Sequence, residues 1–133
     1  MIVVDASAAF AAAMGTDGFA VFNDEQLVAP ALLWSEVRSA LHEAAWRGDL
    51  TREQARQALA NLERGPLQMR NPARLGERAF DIADRLGWAK TYDAEYLALA
   101  AILACAIATL DRGVSLAADQ LGLARLIFAA RSR

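Results

Sequence analysis

The chain has 133 residues, 56% of them hydrophobic, with 14 lysines and arginines against 16 aspartates and glutamates and a formal net charge of −2. That size suits one domain over residues 1–133 with a core that needs no disulfide, and the apolar content excludes disorder. The near-balanced charge excludes a uniformly basic nucleic-acid coat and leaves only a local patch open.

Met1-Ile2-Val3-Val4 is apolar and rich in β-branched residues, and reads as a buried strand ending in a carboxylate, Asp5. Ala6–Met14 follows as an Ala-rich helix, then Gly15-Thr16-Asp17-Gly18 as a turn cluster. Gln26–Ala29 reads as a second short strand, closed by Pro30. Ala31–Trp46 reads as a helix with Pro30 near its first turn and Gly48 beyond its end. Thr51-Arg52-Glu53-Gln54 is close to a capping box and opens a helix through Glu63, with Ala55, Leu59 and Leu62 at helical spacing. Gly65-Pro66 breaks it, and Leu67–Arg70 reads as a short strand. Pro72 to Leu86 contains a helix with Leu75, Ala79, Ile82, Ala83 and Leu86 on one face, stopped by Gly87. Thr91-Tyr92-Asp93 opens the next helix, which carries Tyr96, Leu97, Leu99, Ala100 and Leu103. Ala106–Leu110 reads as a strand that also ends in a carboxylate, Asp111. A helix around Leu116–Leu121 and a final strand over Ala124–Ala129 complete the chain. Strands alternating with helices imply an α/β fold, a parallel sheet with helices on both faces.

Two absences narrow the class. Asp5 falls where a signal peptide carries its basic region, and the longest uncharged stretch, Tyr96 to Leu110, is shorter than the about 20 residues of a bilayer span. A soluble, cytoplasmic protein with no membrane contact is expected. Cys105, the single cysteine, cannot form an internal disulfide and reads as a small buried hydrophobe.

The chemistry lies in the carboxylates. Open α/β sheets place ligand chemistry at the carboxyl ends of their strands, and Asp5 and Asp111 both fall there. Each has an ordinary reading as well: Asp5 as a helix N-cap, Asp111 as a turn residue, Asp93 as a first-turn acid favoured by the helix dipole, and Glu36 as a solvated helical glutamate. Together they would cluster at one sheet edge. Close carboxylates repel, and Mg²⁺ or Mn²⁺, which prefer oxygen ligands, removes that penalty. Such ions activate water for attack on a phosphodiester. Other chemistries fail. His42-Glu43-Ala44-Ala45-Trp46 begins like a zinc-protease motif, but Trp46 stands where the second histidine belongs. His42 itself reads as a surface or partly buried residue. Ser7, Ser35 and Ser39 have no histidine partner, and no glycine-rich phosphate loop occurs. Nearly all the basic residues are arginine, Lys90 being the only lysine. That suits phosphate oxygens, although genomic base composition produces the same bias.

Ile2-Val3-Val4-Asp5-Ala6-Ser7-Ala8, Pro30-Ala31-Leu32-Leu33-Trp34-Ser35-Glu36-Val37, Tyr92-Asp93-Ala94-Glu95-Tyr96-Leu97-Ala98-Leu99-Ala100 and Ala108-Thr109-Leu110-Asp111-Arg112, in that order, resemble the PIN-domain ribonucleases. The likeness is strongest to the VapC-type toxins of toxin–antitoxin pairs, and it covers nearly the whole chain. It implies a PIN-like three-layer sandwich with four to five parallel strands. It implies a metal-dependent endoribonuclease with Mg²⁺ or Mn²⁺ at Asp5, Glu36, Asp93 and Asp111. Asp5 and Asp93 would be the ligands, while Glu36 and Asp111 complete the pocket and orient water. Ser7 and Thr109 match hydroxyl positions that support the acids, and Tyr92 flanks the site, where it either packs in the core or supports Asp93. Arg38 and Arg112 are candidates for holding flanking phosphates. The implied partners are an RNA substrate, a cognate antitoxin and a second copy in a homodimer, to which Trp34 and Trp46 would contribute apolar surface where they are not simply core. The competing readings are a non-catalytic interaction module and a related metal-dependent DNA nuclease or phosphatase. Two departures stand out: Ser39 replaces the family's frequent asparagine, and Leu103–Ile107 lacks the glycine usual before the strand.

Overall fold

The computed structural model describes residues 1–126. Five short strands, β1 (Ile2–Val4), β2 (Leu27–Ala29), β3 (Gln68–Met69), β4 (Ala106–Ala108) and β5 (Arg125–Leu126), form one parallel sheet in the order β3-β2-β1-β4-β5. Six α-helices connect them: α1 (Ala6–Met14), α2 (Leu32–Trp46), α3 (Arg52–Arg64), α4 (Leu75–Leu86), α5 (Tyr92–Leu103) and α6 (Arg112–Gln120). This is the expected α/β layering. Of the strand expected over Ala124–Ala129, residues 127–129 lie outside the described residues.

The central strands are continuous apolar runs because both their faces are covered. Every residue of β1 and β2 is buried. In register, Val3 sits between Val28 and Ile107, and Val4 beside Ala108. One helical group packs α1, α2 and α3 on one another; in a second, α4 and α6 each pack against α5, which lies against β1 and β4. The small side chains of α1 allow close approach, with Ala8, Ala9, Ala12 and Ala13 all buried. A capping box starts α3: Gln54 N–H donates to the Thr51 hydroxyl at 3.0 Å, and Thr51 N–H donates to the Gln54 side chain at 2.9 Å. Gly87, at φ 70°, ends α4, and Trp88 N–H returns to the Ala83 carbonyl at 2.9 Å.

Several local expectations shift. The turn cluster after α1 continues into a 3-10 helix, Gly18–Phe22, whose Phe19 and Phe22 are buried in the core with ring centroids 6.4 Å apart. The helix expected around Leu116 starts at Arg112, because the Asp111 side chain accepts the Val114 N–H and caps it there. The helix within Pro72–Leu86 starts at Leu75. Where a glycine was expected before β4, Ala104 takes the left-handed conformation, at φ 52° and ψ 48°. The chain still reverses, and Cys105 N–H closes the turn on the Ala100 carbonyl at 3.1 Å. Cys105 is half-buried rather than buried.

Candidate active site

The sheet order makes the gap beyond β1 and β4 the switch point. From β1 the chain leaves toward β2 on one side, and β4 returns on the other. Ligand sites form there because the loops diverge. Asp5 follows β1 directly, and Thr109-Leu110-Asp111 follows β4.

Asp5 is 3% exposed and tightly held. Its Oδ1 accepts from the Ser7 hydroxyl at 2.7 Å and from Ala8 N–H at 3.0 Å, which caps α1. Its Oδ2 accepts from the Thr109 hydroxyl. The same two hydroxyls fasten the β4 loop: Leu110 N–H donates to Ser7 Oγ at 2.8 Å, and Asp111 N–H donates to Thr109 Oγ1 at 2.9 Å. Ser7 and Thr109 therefore support Asp5 and position Asp111 at once. Asp111 is exposed; its Oδ1 accepts Val114 N–H at 2.9 Å. The capping reading and the site reading of Asp5 and Asp111 are compatible, since each cap uses one oxygen.

Asp93 sits in the first turn of α5 and is open to solvent. Burial of part of its surface, and then the charges of Asp111, Glu36 and Asp5, raise its pKa above the ordinary carboxylate value. The other three expected acids thus all act on the Asp93 carboxyl. Burial raises the Asp5 pKa; bonds from Thr109, Ser7 and Ala8 pull it back, and Asp111 adds to the rise. Glu36, half-buried on α2, accepts from Tyr96 Oη at 2.6 Å.

Two further residues belong to this neighbourhood and were not singled out in the sequence. Glu95 has a raised pKa, through burial and then the Glu36 charge, which makes it a fifth carboxylate here. Tyr96 reaches Glu36 from within the core. Tyr92 is 59% exposed and does not pack in the core. His42, Arg38 and Arg112 are exposed; none of the described ion pairs includes Arg38, Arg112 or any of the four acids.

The donor chemistry suits a hard divalent cation. The ionisable groups are carboxylates, the supporting groups are hydroxyls, and mutual repulsion stands uncompensated by any described basic side chain. Among the described residues no group of three or more His, Cys, Asp or Glu side chains is placed to hold a metal ion. Mg²⁺ asks less of a chain, since it binds through one or two carboxylates and keeps several waters.

Residues 2–120 match the family model described as PIN domain. A VapC ribonuclease of Mycobacterium bovis and ribonuclease VapC9 of Mycobacterium tuberculosis are each 40% identical over 117 residues, covering 86% of this chain and 89% of each relative. A crystal structure from Pyrobaculum aerophilum is similar with a TM-score of 0.69 at 23% identity, covering 93% of this chain and 89% of that one. Mycobacterium tuberculosis VapC20, described as a sarcin–ricin loop cleaving toxin, is similar with a TM-score of 0.62 at 19% identity, covering 88% and 95%. At these identities the two solved structures speak to the fold alone.

Proposed function

The chain belongs to the PIN domain family, and from that premise we propose that it is a metal-dependent endoribonuclease, the toxin of a toxin–antitoxin pair, acting as a single domain over residues 1–133. The relatives that are 40% identical are named ribonucleases. The observation that carries the reading is the joint at the carboxyl edge of the sheet, where the Thr109 hydroxyl donates to Asp5 and accepts Asp111 N–H; the charges of Asp111, Glu36 and Asp5 also raise the Asp93 pKa.

Asp5, Asp93, Asp111 and Glu36 would hold Mg²⁺ or Mn²⁺. Such an ion, when bound, lowers the pKa of water and offsets charge on the phosphodiester. The rest is done by the chain's own groups. Ser7, Ala8 and Thr109 occupy three of the roughly four lone-pair positions of Asp5, so its carboxylate is fixed in rotation and keeps one position on Oδ2 open. Asp111 keeps Oδ2 open beside its cap. Glu36 and Asp111 accept hydrogen bonds from the attacking water and aim its lone pair at phosphorus. Asp93 and Asp111 stand exposed, so a polynucleotide reaches the acids from solvent.

A cognate antitoxin would silence this site by setting a basic side chain among the acids. Self-association as a homodimer is supported by the apolar surface left exposed, Trp46 at 81% and Phe80 at 68%; Trp34 is half-buried against the core. Sedimentation at micromolar concentration tests the dimer. Among the described residues no helix is long and apolar enough to cross a membrane.

The test of function is cleavage of a mixed RNA pool by wild type and Asp5→Asn, with and without chelator. Chelator should abolish wild-type cleavage, added Mg²⁺ or Mn²⁺ should restore it, and Asp5→Asn should be deficient. Cleavage that persists in chelator, or Asp5→Asn acting at the wild-type rate, overturns the mechanism.

A further inference from the structure

Tyr96 is 1% exposed and belongs to the hydrophobic core. A phenylalanine would fill the same space, so packing gives no reason for the hydroxyl. A buried hydroxyl is costly unless it has a partner. Here the partner is Glu36, whose Oε1 accepts from Tyr96 Oη at 2.6 Å, the length expected for a hydroxyl on a carboxylate. The bond joins two elements. Glu36 is on α2 and Tyr96 on α5, three residues beyond Asp93 on the same helix. Residues three apart on a helix are neighbours, so the hydroxyl ties the acid of α2 to the helix that bears the acid of α5. Burial, together with the Glu36 bond and charge, pushes the phenol pKa far up, and Tyr96 remains a neutral donor.

Glu36 needs such a tie more than the other acids do. Asp5 is held by three donors and Asp111 by its helix cap, both on short side chains. Glu36 is a long, rotamer-rich, half-buried side chain in the body of a helix, and Tyr96 is the one hydrogen-bond donor described for its carboxylate. Free of that donor, it would spread over several rotamers.

We propose that Tyr96 is a positioning residue of the site: its hydroxyl fixes the Glu36 carboxylate beside Asp93 and leaves Oε2 for the cation or a water it carries. The inference rests on the metal-dependent reading above, and the experiment separates the two. Mn²⁺ binding by calorimetry and RNA cleavage kinetics are measured for wild type, Tyr96→Phe, Glu36→Gln and the double variant, with a thermal melt of each. Tyr96→Phe should keep a cooperative melt and an unchanged KM for RNA, while Mn²⁺ affinity and kcat fall about 10- to 100-fold. In the Glu36→Gln background, Tyr96→Phe should add no more than about twofold.

Wild-type Mn²⁺ affinity and kcat in Tyr96→Phe overturn the proposal. So does an undiminished effect of Tyr96→Phe in the Glu36→Gln background, which a purely structural role would give. Should Tyr96→Phe not fold, Glu36→Asp replaces it: the charge stays but is withdrawn from Tyr96 by one methylene. Wild-type Mn²⁺ affinity there overturns the proposal, and a loss supports it. Failure of wild type itself to bind Mn²⁺, with chelator-resistant cleavage, instead overturns the metal-dependent reading.

Discussion

Thr109→Val tests the joint between β1 and β4 with a nearly isosteric change. The hydroxyl donates to buried Asp5 Oδ2 and accepts Asp111 N–H at 2.9 Å. The methyl that replaces it does neither. The Asp5 side dominates, because Asp111 N–H lies at the exposed edge and can bond water, whereas Asp5 is 3% exposed. A hydrogen bond to a charged group contributes about 1.5–3 kcal/mol. For a chain of this length each kcal/mol shifts Tm by roughly 3–6 °C, so the metal-free variant should melt roughly 5–18 °C below wild type near neutral pH. The sign of the pH dependence follows from Asp5. Burial raises its pKa, and the Thr109 bond is the largest influence pulling it back, so the variant's Asp5 pKa rises further. A carboxyl with a raised native pKa contributes stability that is complete below its unfolded pKa and lost as pH rises through the native one. The deficit of Thr109→Val should therefore be large at neutral pH and shrink as the acid range is approached. Thermal melts in chelator over that range measure it. A variant as stable as wild type at neutral pH, or a deficit of constant size into acid, refutes the reasoning.

Ala104→Gly should stabilise the protein. The left-handed conformation of Ala104 costs an L-residue about 1–2 kcal/mol, and glycine's greater unfolded freedom takes back about 0.5–1, leaving a gain of up to about 1.5 kcal/mol in urea unfolding; an unchanged or lower midpoint contradicts this. Asp5→Asn, in chelator at neutral pH, should melt at or above the wild-type temperature, because a buried charge and its repulsion by Asp111 are removed. A clearly lower melt would show that the charge supports the fold. Asp5, Asp93 and Glu95 all have raised pKa values. Their contribution to metal-free stability is complete in acid and is lost as pH rises through the carboxylate range. The Tm increment produced by added Mn²⁺ should accordingly grow from acid to neutral pH, and an increment independent of pH speaks against the cluster.

How far the fold could be read from the sequence depended on whether local pattern and tertiary packing agreed. The runs at β1 and β2 are buried on both faces, so composition alone marked them. Of the stripe expected on α4, Leu75, Ala79, Ile82 and Ala83 are buried as the spacing implied, and Leu86 is half-buried against the core. Disagreement begins where a side chain overrides the pattern. Phe19 and Phe22 lie behind the Gly15-Thr16-Asp17-Gly18 turn signal, yet they fill the core; a Cβ on Gly65 would stand 2.9 Å from the Phe19 ring, so that turn is shaped by the end of α3. The start of α6 is set by the Asp111 cap, four residues ahead of the leucine that suggested the helix. At the site, Asp5 and Asp111 were legible because strand ends are local features. Glu36 reads with them as an acid near the start of its helix, although it lies beyond the first turn of α2. Its bond to Tyr96 joins residues 60 apart, and Tyr96 reads along the chain as one more apolar-face residue.

The carboxylates also explain why an acid cluster can sit on so apolar a frame. Asp5 and Asp111 cap α1 and α6, and Asp93 and Glu95 lie in the first turn of α5, so each occupies a helix N-terminus where the backbone dipole favours negative charge. That attraction lowers the cost of gathering like charges without cancelling it, since the pKa values of Asp5, Asp93 and Glu95 remain raised. Glu36 is the exception. It lies beyond the first turn of α2, where the dipole offers little, and a buried phenol serves it in place of backbone N–H groups. Helix N-termini and one core hydroxyl hold the acids together, and the residual repulsion is what the proposed divalent cation would relieve.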